Sequence, residues 1–205
     1  MTKREFVAFL LEWFKKNKRD FPWRDKNPYK VFVSEVFLQR TPADRVALFF
    51  NDFISEYPTV TLLSEANIEK MITRYHQLGL HKRFIWLVNS MKIIEKEYQS
   101  RIPTEKNQLL KLPGIGEYTS SAILCFAYNK REVIVDVNII RFYSRYFGIS
   151  KNEVNKKASY ILPILNWLEF NQAILDYSSL ICSSTPKCEK CEFKKTCIYF
   201  NRLIC

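Results

Sequence analysis

Four cysteines near the C-terminus carry the most legible chemistry in this chain. Cys182, Cys188, Cys191 and Cys197 stand as C-x5-C-x2-C-x5-C. Four thiolates so close together suit a tetrahedral metal or an iron–sulfur cube. Spacing alone leaves zinc and [4Fe–4S] both open. Lys187, Lys190, Lys194 and Lys195 crowd the same segment, so a loop shaped by a bound group would turn a basic face to phosphate. Cys125 lies in an apolar helical stretch and reads as a small hydrophobe; Cys205 is terminal.

Two acids stand in apolar company. Val31-Phe32-Val33-Ser34-Glu35-Val36-Phe37-Leu38 carries Glu35 among six apolar residues. A helix apolar nearly all round is buried, and burial raises a carboxyl pKa toward the range of a general acid. The alternative is a glutamate on the helix's one wet face. Val133-Ile134-Val135-Asp136-Val137-Asn138-Ile139-Ile140 repeats the pattern around Asp136. Asp136 reads as the N-cap of the helix that follows. Such a carboxylate stays ionised, as a water activator or cation stabiliser should.

The third constellation is Leu112-Pro113-Gly114-Ile115-Gly116, two glycines in five residues of a chain that has only four in 205. Glycine permits positive φ and close backbone approach. The next helix starts at about Glu117, and its first amides with the helix dipole make an anion site. That is a way to hold a DNA phosphate without reading sequence. A plain helix–helix turn is the competing reading.

Helices must position these groups. Glycine scarcity argues against Gly-rich nucleotide folds and turn-dense all-β folds. Phe6, Phe9, Leu10, Trp13 and Phe14 mark a helix over 3–17. Further helices are predicted over 29–40, from Thr41-Pro42 onward, over 64–78, 82–98, 106–111, 118–128, from Asp136 to Gly148, and over 151–168 and 170–181. Val133-Ile134-Val135 is the one strand-like run. An all-α protein of about ten helices results. Most aromatics belong to its core, Trp23 among them as a packing anchor, while Lys82 and Arg83 face phosphate or solvent. The net charge of +11 favours a polyanionic partner, nucleic acid ahead of a membrane. No apolar run reaches the length of a bilayer span, and the N-terminus reads as an amphipathic helix rather than a signal peptide. The chain therefore reads as intracellular, with its six cysteines as thiols or metal ligands in place of disulfides.

Taken in order, these motifs resemble the helix–hairpin–helix glycosylases of the endonuclease III and MutY superfamily. The resemblance runs from Phe21-Pro22-Trp23-Arg24 and Pro28-Tyr29 through Ser34 to Thr41, Gly79-Leu80, the LPGIG hairpin, Val135-Asp136-Val137-Asn138 and the four cysteines. It implies a two-lobed all-α fold with DNA in the cleft: a helical barrel over 22–133, and a second lobe of 1–21 with 134–205. It implies a [4Fe–4S] cluster on Cys182, Cys188, Cys191 and Cys197, although the family usually has six residues between the first two cysteines and this chain has five. It implies base flipping and hydrolysis of an N-glycosidic bond through an oxocarbenium-like sugar, with Asp136, Glu35 and Tyr118 in catalysis. Lytic members carry lysine where this chain has Tyr118, so a monofunctional enzyme is expected. Gly114, Ile115, Gly116 and Thr119 would meet DNA at the hairpin. Arg40, Gln39, Leu80 and His81 would meet it near the flipped base, Arg40 filling the gap beside the widowed guanine.

Two subfamilies share Glu35 and tolerate Tyr118. Adenine glycosylases have glycine after the catalytic aspartate, glutamine in place of Arg40, and a further domain beyond the cluster. Val137, Arg40, Asp176-Tyr177-Ser178-Ser179 and the chain's end at 205 match the thymine group instead. The resemblance therefore points to thymine or uracil opposite guanine in double-stranded DNA. Adenine opposite 8-oxoguanine or guanine is the alternative, and a non-catalytic DNA-binding module or a zinc-stabilised RNA-binding protein the remaining ones. A monomer in the cytoplasm, associated with the nucleoid, is expected.

Overall fold

The computed structural model describes residues 1–79 and 81–203; Leu80 and Cys205, both named above, lie outside them. Among the described residues every regular element is helical. The α-helices are α1 (Lys3–Asn17), α2 (Pro28–Leu38), α3 (Ala43–Glu56), α4 (Val60–Ser64), α5 (Ile68–Arg74), α6 (Lys82–Tyr98), α7 (Lys106–Leu109), α8 (Glu117–Tyr128), α9 (Val137–Phe147), α10 (Lys151–Ile161), α11 (Trp167–Leu180) and α12 (Ile198–Leu203). Short 3-10 turns lie at His76–Leu78, Cys188–Lys190 and Lys194–Thr196. No helix among them is long and apolar enough to cross a membrane.

Local chemistry explains the starts. Thr2 and Glu5 form a capping box on α1, and Ser150 and Glu153 form one on α10. Asn27 caps α2, with Pro28 supplying the preset φ of a first helical residue. The all-helical expectation is borne out, with three differences of detail. The helix expected over 64–78 does not start at Ser64, where α4 ends; Asn67 caps a later start, and the stretch holds α5 and a 3-10 turn. The helix expected over 151–168 ends at Ile161, since Leu162 precedes Pro163 and proline disfavours helix in its predecessor. Val133-Ile134-Val135 is not a strand: no partner strand exists among the described residues, and the run is held from outside by Asn171 Nδ2 donating to Glu132 O at 3.0 Å.

The chain forms two compact units, one of residues 20–130 and one of residues 1–19 with 131–205. In the first, α2 is buried from Val31 to Phe37 on every face and packs on α3, α6 and α8. Phe37 meets the ring edges of Phe53 at 4.8 Å and Phe84 at 5.8 Å. Trp23 is buried, stacked on Phe21 at 4.7 Å and set edge-on to Phe50 at 5.2 Å, as a packing anchor should be.

In the second unit, α1 packs on α11, and α9 packs on α10, α11 and α12. Its core is aromatic. Phe6 lies 5.5 Å from Tyr146 and 5.0 Å from Phe193. Phe193 belongs to the cysteine segment, so the core extends beneath the thiols. Asp176, fully buried on α11, accepts from Arg19 Nε at 2.8 Å and from the Arg19 amide at 3.0 Å. This pins the residues after α1 to the middle of α11.

Removing one partner of such a pair strands the other. Asp176→Ala is expected to lower the unfolding free energy by about 3 kcal/mol in urea denaturation. A loss below about 1 kcal/mol, the range of exposed pairs, would show that Asp176 does not anchor the segment.

Candidate active site

Asp136 caps α9 as the sequence predicts. Its Oδ1 accepts from the amides of Asn138 at 2.9 Å and Ile139 at 2.8 Å. Its Oδ2 accepts from Asn138 Nδ2 at 2.7 Å. Three donors and the positive end of the α9 dipole converge on one half-buried carboxylate. The next side chain, Val137, is 73% exposed, so the cap opens on solvent and not on core.

The carboxylate is held from further back. Arg141 Nη2 donates to Asn138 Oδ1 at 2.8 Å, and Arg141 Nε donates to Cys182 O at 2.8 Å. One turn on, Arg145 donates to Ser183 O at 2.7 Å and Ser184 O at 3.1 Å, with its Nη1 3.6 Å from Cys182 Sγ. Residues 138, 141 and 145 therefore form a polar stripe along one face of α9, joining Asp136 to the first of the four cysteines. Sequence reading missed these three residues; their spacing on an otherwise apolar helix is the signal that could have found them.

Cys182, Cys188, Cys191 and Cys197 line one recess, whose walls include Phe142, Tyr146 and Phe193. Among the described residues, no group of three or more His, Cys, Asp or Glu side chains stands close enough to hold a single metal ion. Tyr177 Oη donates to Cys191 Sγ at 3.3 Å. Burial pushes the Cys182 thiol up, and the Arg145 guanidinium pulls it the other way. The shortened 182–188 spacing is accommodated: Arg145 closes the loop at 183–184, and the Lys187 amide returns to Ile181 O at 2.9 Å. Lys187, Lys190 and Lys195 are exposed around it.

In the 20–130 unit, Glu35 is buried at 4% exposure in the interior of α2, which excludes the wet-face reading. The hairpin joins α7 to α8. Gly116 caps α8 and, as a glycine, makes no side-chain hydrogen bond to the first-turn amides. Glu117 in that turn is paired with Lys106 at 3.1 Å. Tyr118 is 37% exposed, not core-facing. Two expected DNA contacts are narrowed here. Ile115 and Thr119 turn their side chains inward, and the Ile115 amide already donates to Leu112 O at 3.2 Å. Both side chains are buried in the free protein, at 6% and 4% exposure.

Gln39 Nε2 donates to Gly114 O at 2.9 Å and lies 3.4 Å from Thr119 Oγ1, tying the end of α2 to the hairpin. Arg40 is exposed at φ +58. That left-handed conformation costs a non-glycine residue about 1 kcal/mol, and such strain gathers at functional positions. His81 is exposed beside Gly79. Arg83 corrects its sequence reading: it is 1% exposed and faces neither phosphate nor solvent.

A family model described as HhH-GPD superfamily base excision DNA repair protein matches residues 33–164. A thymine/uracil-DNA glycosylase of Methanothermobacter thermautotrophicus is 30% identical over 98% of this chain and 95% of its own. An adenine DNA glycosylase of Buchnera aphidicola subsp. Schizaphis graminum is 34% identical over 98% of this chain, which spans 61% of that relative's length. A solved thermostable thymine-DNA glycosylase superposes with a TM-score of 0.89 at 30% identity, covering 98% of this chain and 97% of that one.

The two hairpin glycines differ in what surrounds them. Gly114 sits at φ +76, and a Cβ there would lie 2.7 Å from the Trp86 ring. Gly116 has open space around it. Gly114→Ala is expected to cost about 2 kcal/mol of unfolding free energy, and Gly116→Ala less than about 0.5 kcal/mol. Equal losses in a denaturant titration would contradict this division.

Proposed function

The chain belongs to the HhH-GPD superfamily of base excision DNA repair proteins, and we propose that it is a monofunctional DNA glycosylase that removes thymine or uracil opposite guanine. One observation carries the reading: a half-buried carboxylate, Asp136, fixed by three N–H groups at a helix N-terminus and opening beside an exposed Val137. Geometry set before reaction is what electrostatic stabilisation of a transient cation requires.

In this reading the target nucleotide is extruded from the duplex. The bond from C1′ to the base nitrogen breaks with its electron pair going to the base. The sugar becomes oxocarbenium-like, and Asp136 stabilises that charge. A water oxygen then bonds to C1′ and loses its proton, for which Asp136 is the acceptor. Glu35 hydrogen-bonds the pyrimidine edge or positions the water. Tyr118 stands where lytic relatives would need an amine. A phenol forms no Schiff base, so the product is an intact strand with an abasic site.

DNA is held at the Gly116 end of α8 and by the exposed lysines of the cysteine segment. Net charge of +11 suits that partner. Arg40, Gln39, Leu80 and His81 act at the site of extrusion, Arg40 on the widowed guanine. Cys182, Cys188, Cys191 and Cys197 would hold a [4Fe–4S] cluster. A recess with volume, apolar walls, four thiols and a neighbouring guanidinium fits a polynuclear group. The cluster's part is structural: bound, it fixes the 182–197 loop to which Arg141 and Arg145 are tied. The protein works as a monomer in the cytoplasm, on the nucleoid.

Val137 and Arg40 favour the thymine and uracil reading over adenine. Duplexes carrying T·G, U·G, A·8-oxoG and A·G, scored for strand breaks before and after alkali, test it. Release of thymine and uracil opposite guanine, with breaks only after alkali, is expected. Release of adenine alone assigns the adenine reading; no release from any duplex leaves a binding module. Asp136→Asn should slow release by at least about a hundredfold with affinity for the same duplex retained. Undiminished release in that variant removes Asp136 from the chemistry. Brown protein with stoichiometric iron and acid-labile sulfide is expected, and a colourless zinc protein would refute the cluster.

A further inference from the structure

Arg83 is a buried cation whose four hydrogen bonds all go to main-chain carbonyls. Nη1 donates to Phe37 O, in a short contact, and to Gln39 O at 2.8 Å. Nη2 donates to Leu78 O, also short, and to Gly79 O at 3.1 Å. No carboxylate stands within ion-pair distance of it among the described residues. A guanidinium without a counter-charge is costly to bury, so its placement needs a reason.

The four carbonyls supply one. Phe37 and Gln39 belong to the C-terminal end of α2, and Leu78 and Gly79 to the end of the 3-10 turn before α6. Helix C-termini leave carbonyls without intrahelical donors and carry the negative end of the dipole. The planar fork of arginine reaches two such ends at once, and the point charge of lysine cannot match it. Thr41 Oγ1 adds a direct tie, donating to Leu78 O at 3.2 Å. The same face of α6 continues toward the hairpin. Trp86 packs under Gly114, and Ser90 Oγ donates to Pro113 O at 3.1 Å.

We infer that Arg83 is a positioning residue that locks the Gln39–Thr41 turn to the turn ending at Leu78 and Gly79, so that the two meet a base stack as one unit. The inference rests on the glycosylase reading above, because it presumes that these segments pry a base from duplex DNA. Arg83 itself touches no substrate. It makes the order of the two segments a property of the free protein, which removes an ordering cost from each extrusion.

The test compares wild type, Arg83→Met and Arg83→Lys as full-length proteins. Each is given uracil opposite guanine in a duplex and uracil opposite an abasic site, where extrusion is already easy. Single-turnover rates are measured at saturating protein, with hydrogen exchange of peptides over 37–41 and 78–84. Arg83→Met is expected to lose about tenfold or more on U·G and less than about threefold opposite the abasic site. Arg83→Lys should fall between Met and wild type. Exchange should rise in both peptides and in few others. Equal losses on the two substrates, or unchanged exchange in either segment, overturn the inference. If Arg83→Met does not fold, the lysine variant decides: a ratio of rates equal to that of wild type overturns it. If wild type releases no uracil, the glycosylase reading has failed, and the exchange data alone still decide whether Arg83 locks the two segments.

Discussion

A carboxylate that caps a helix is not free to swing, and the chemistry proposed for this protein depends on that constraint. Asp136 accepts from two amides of α9 and from the side chain of Asn138. Capping therefore both starts the helix and fixes the acid. A carboxylate fixed by three N–H donors is preorganised to stabilise a positive charge that develops in front of it. Asn138, Arg141 and Arg145 carry the constraint to the cysteine segment, so the geometry of the acid and that of the thiol recess are mechanically linked.

A parallel arrangement organises the 20–130 unit. On α6, Arg83, Trp86 and Ser90 share one face: Arg83 meets the end of α2 and the Gly79 turn, while Trp86 and Ser90 meet the hairpin at Gly114 and Pro113. Gln39 closes the circuit from α2 to the hairpin. In both units one face of a helix holds the turns and loops beside it. Rigid helices then deliver irregular segments in fixed register, as sites on loops require. The left-handed backbone of Arg40 is tolerated because the residues around it are tied on both sides.

Much of this was legible in the sequence, for reasons that can be stated. Apolar periodicity and scarce glycine gave the helical class. The position of Asp136 before an amphipathic run gave the cap, and the unbroken apolar surroundings of Glu35 gave its burial. What stayed hidden depends on partners distant in the chain. Arg83 reads as one more surface cation, because nothing local shows that carbonyls 37, 39, 78 and 79 will surround it. Ile115 and Thr119 look like backbone at a phosphate site, but their inward direction follows from the packing of α8 on α2. Val133-Ile134-Val135 has strand-forming residues and no neighbour to pair with. Breaks at Asn67 and Pro163 were visible as capping and proline signals, yet apolar periodicity runs through them.

The most direct measurement is the structure of this protein bound to a duplex that carries a cationic pyrrolidine in place of the target sugar. That ring mimics the charge of the oxocarbenium-like state and cannot be hydrolysed. The expected result is an ion pair between the ring nitrogen and the Asp136 carboxylate, with Asp136 still accepting from the amides of Asn138 and Ile139. A complex in which the pyrrolidine is extruded and bound away from Asp136 would contradict the assignment of that carboxylate.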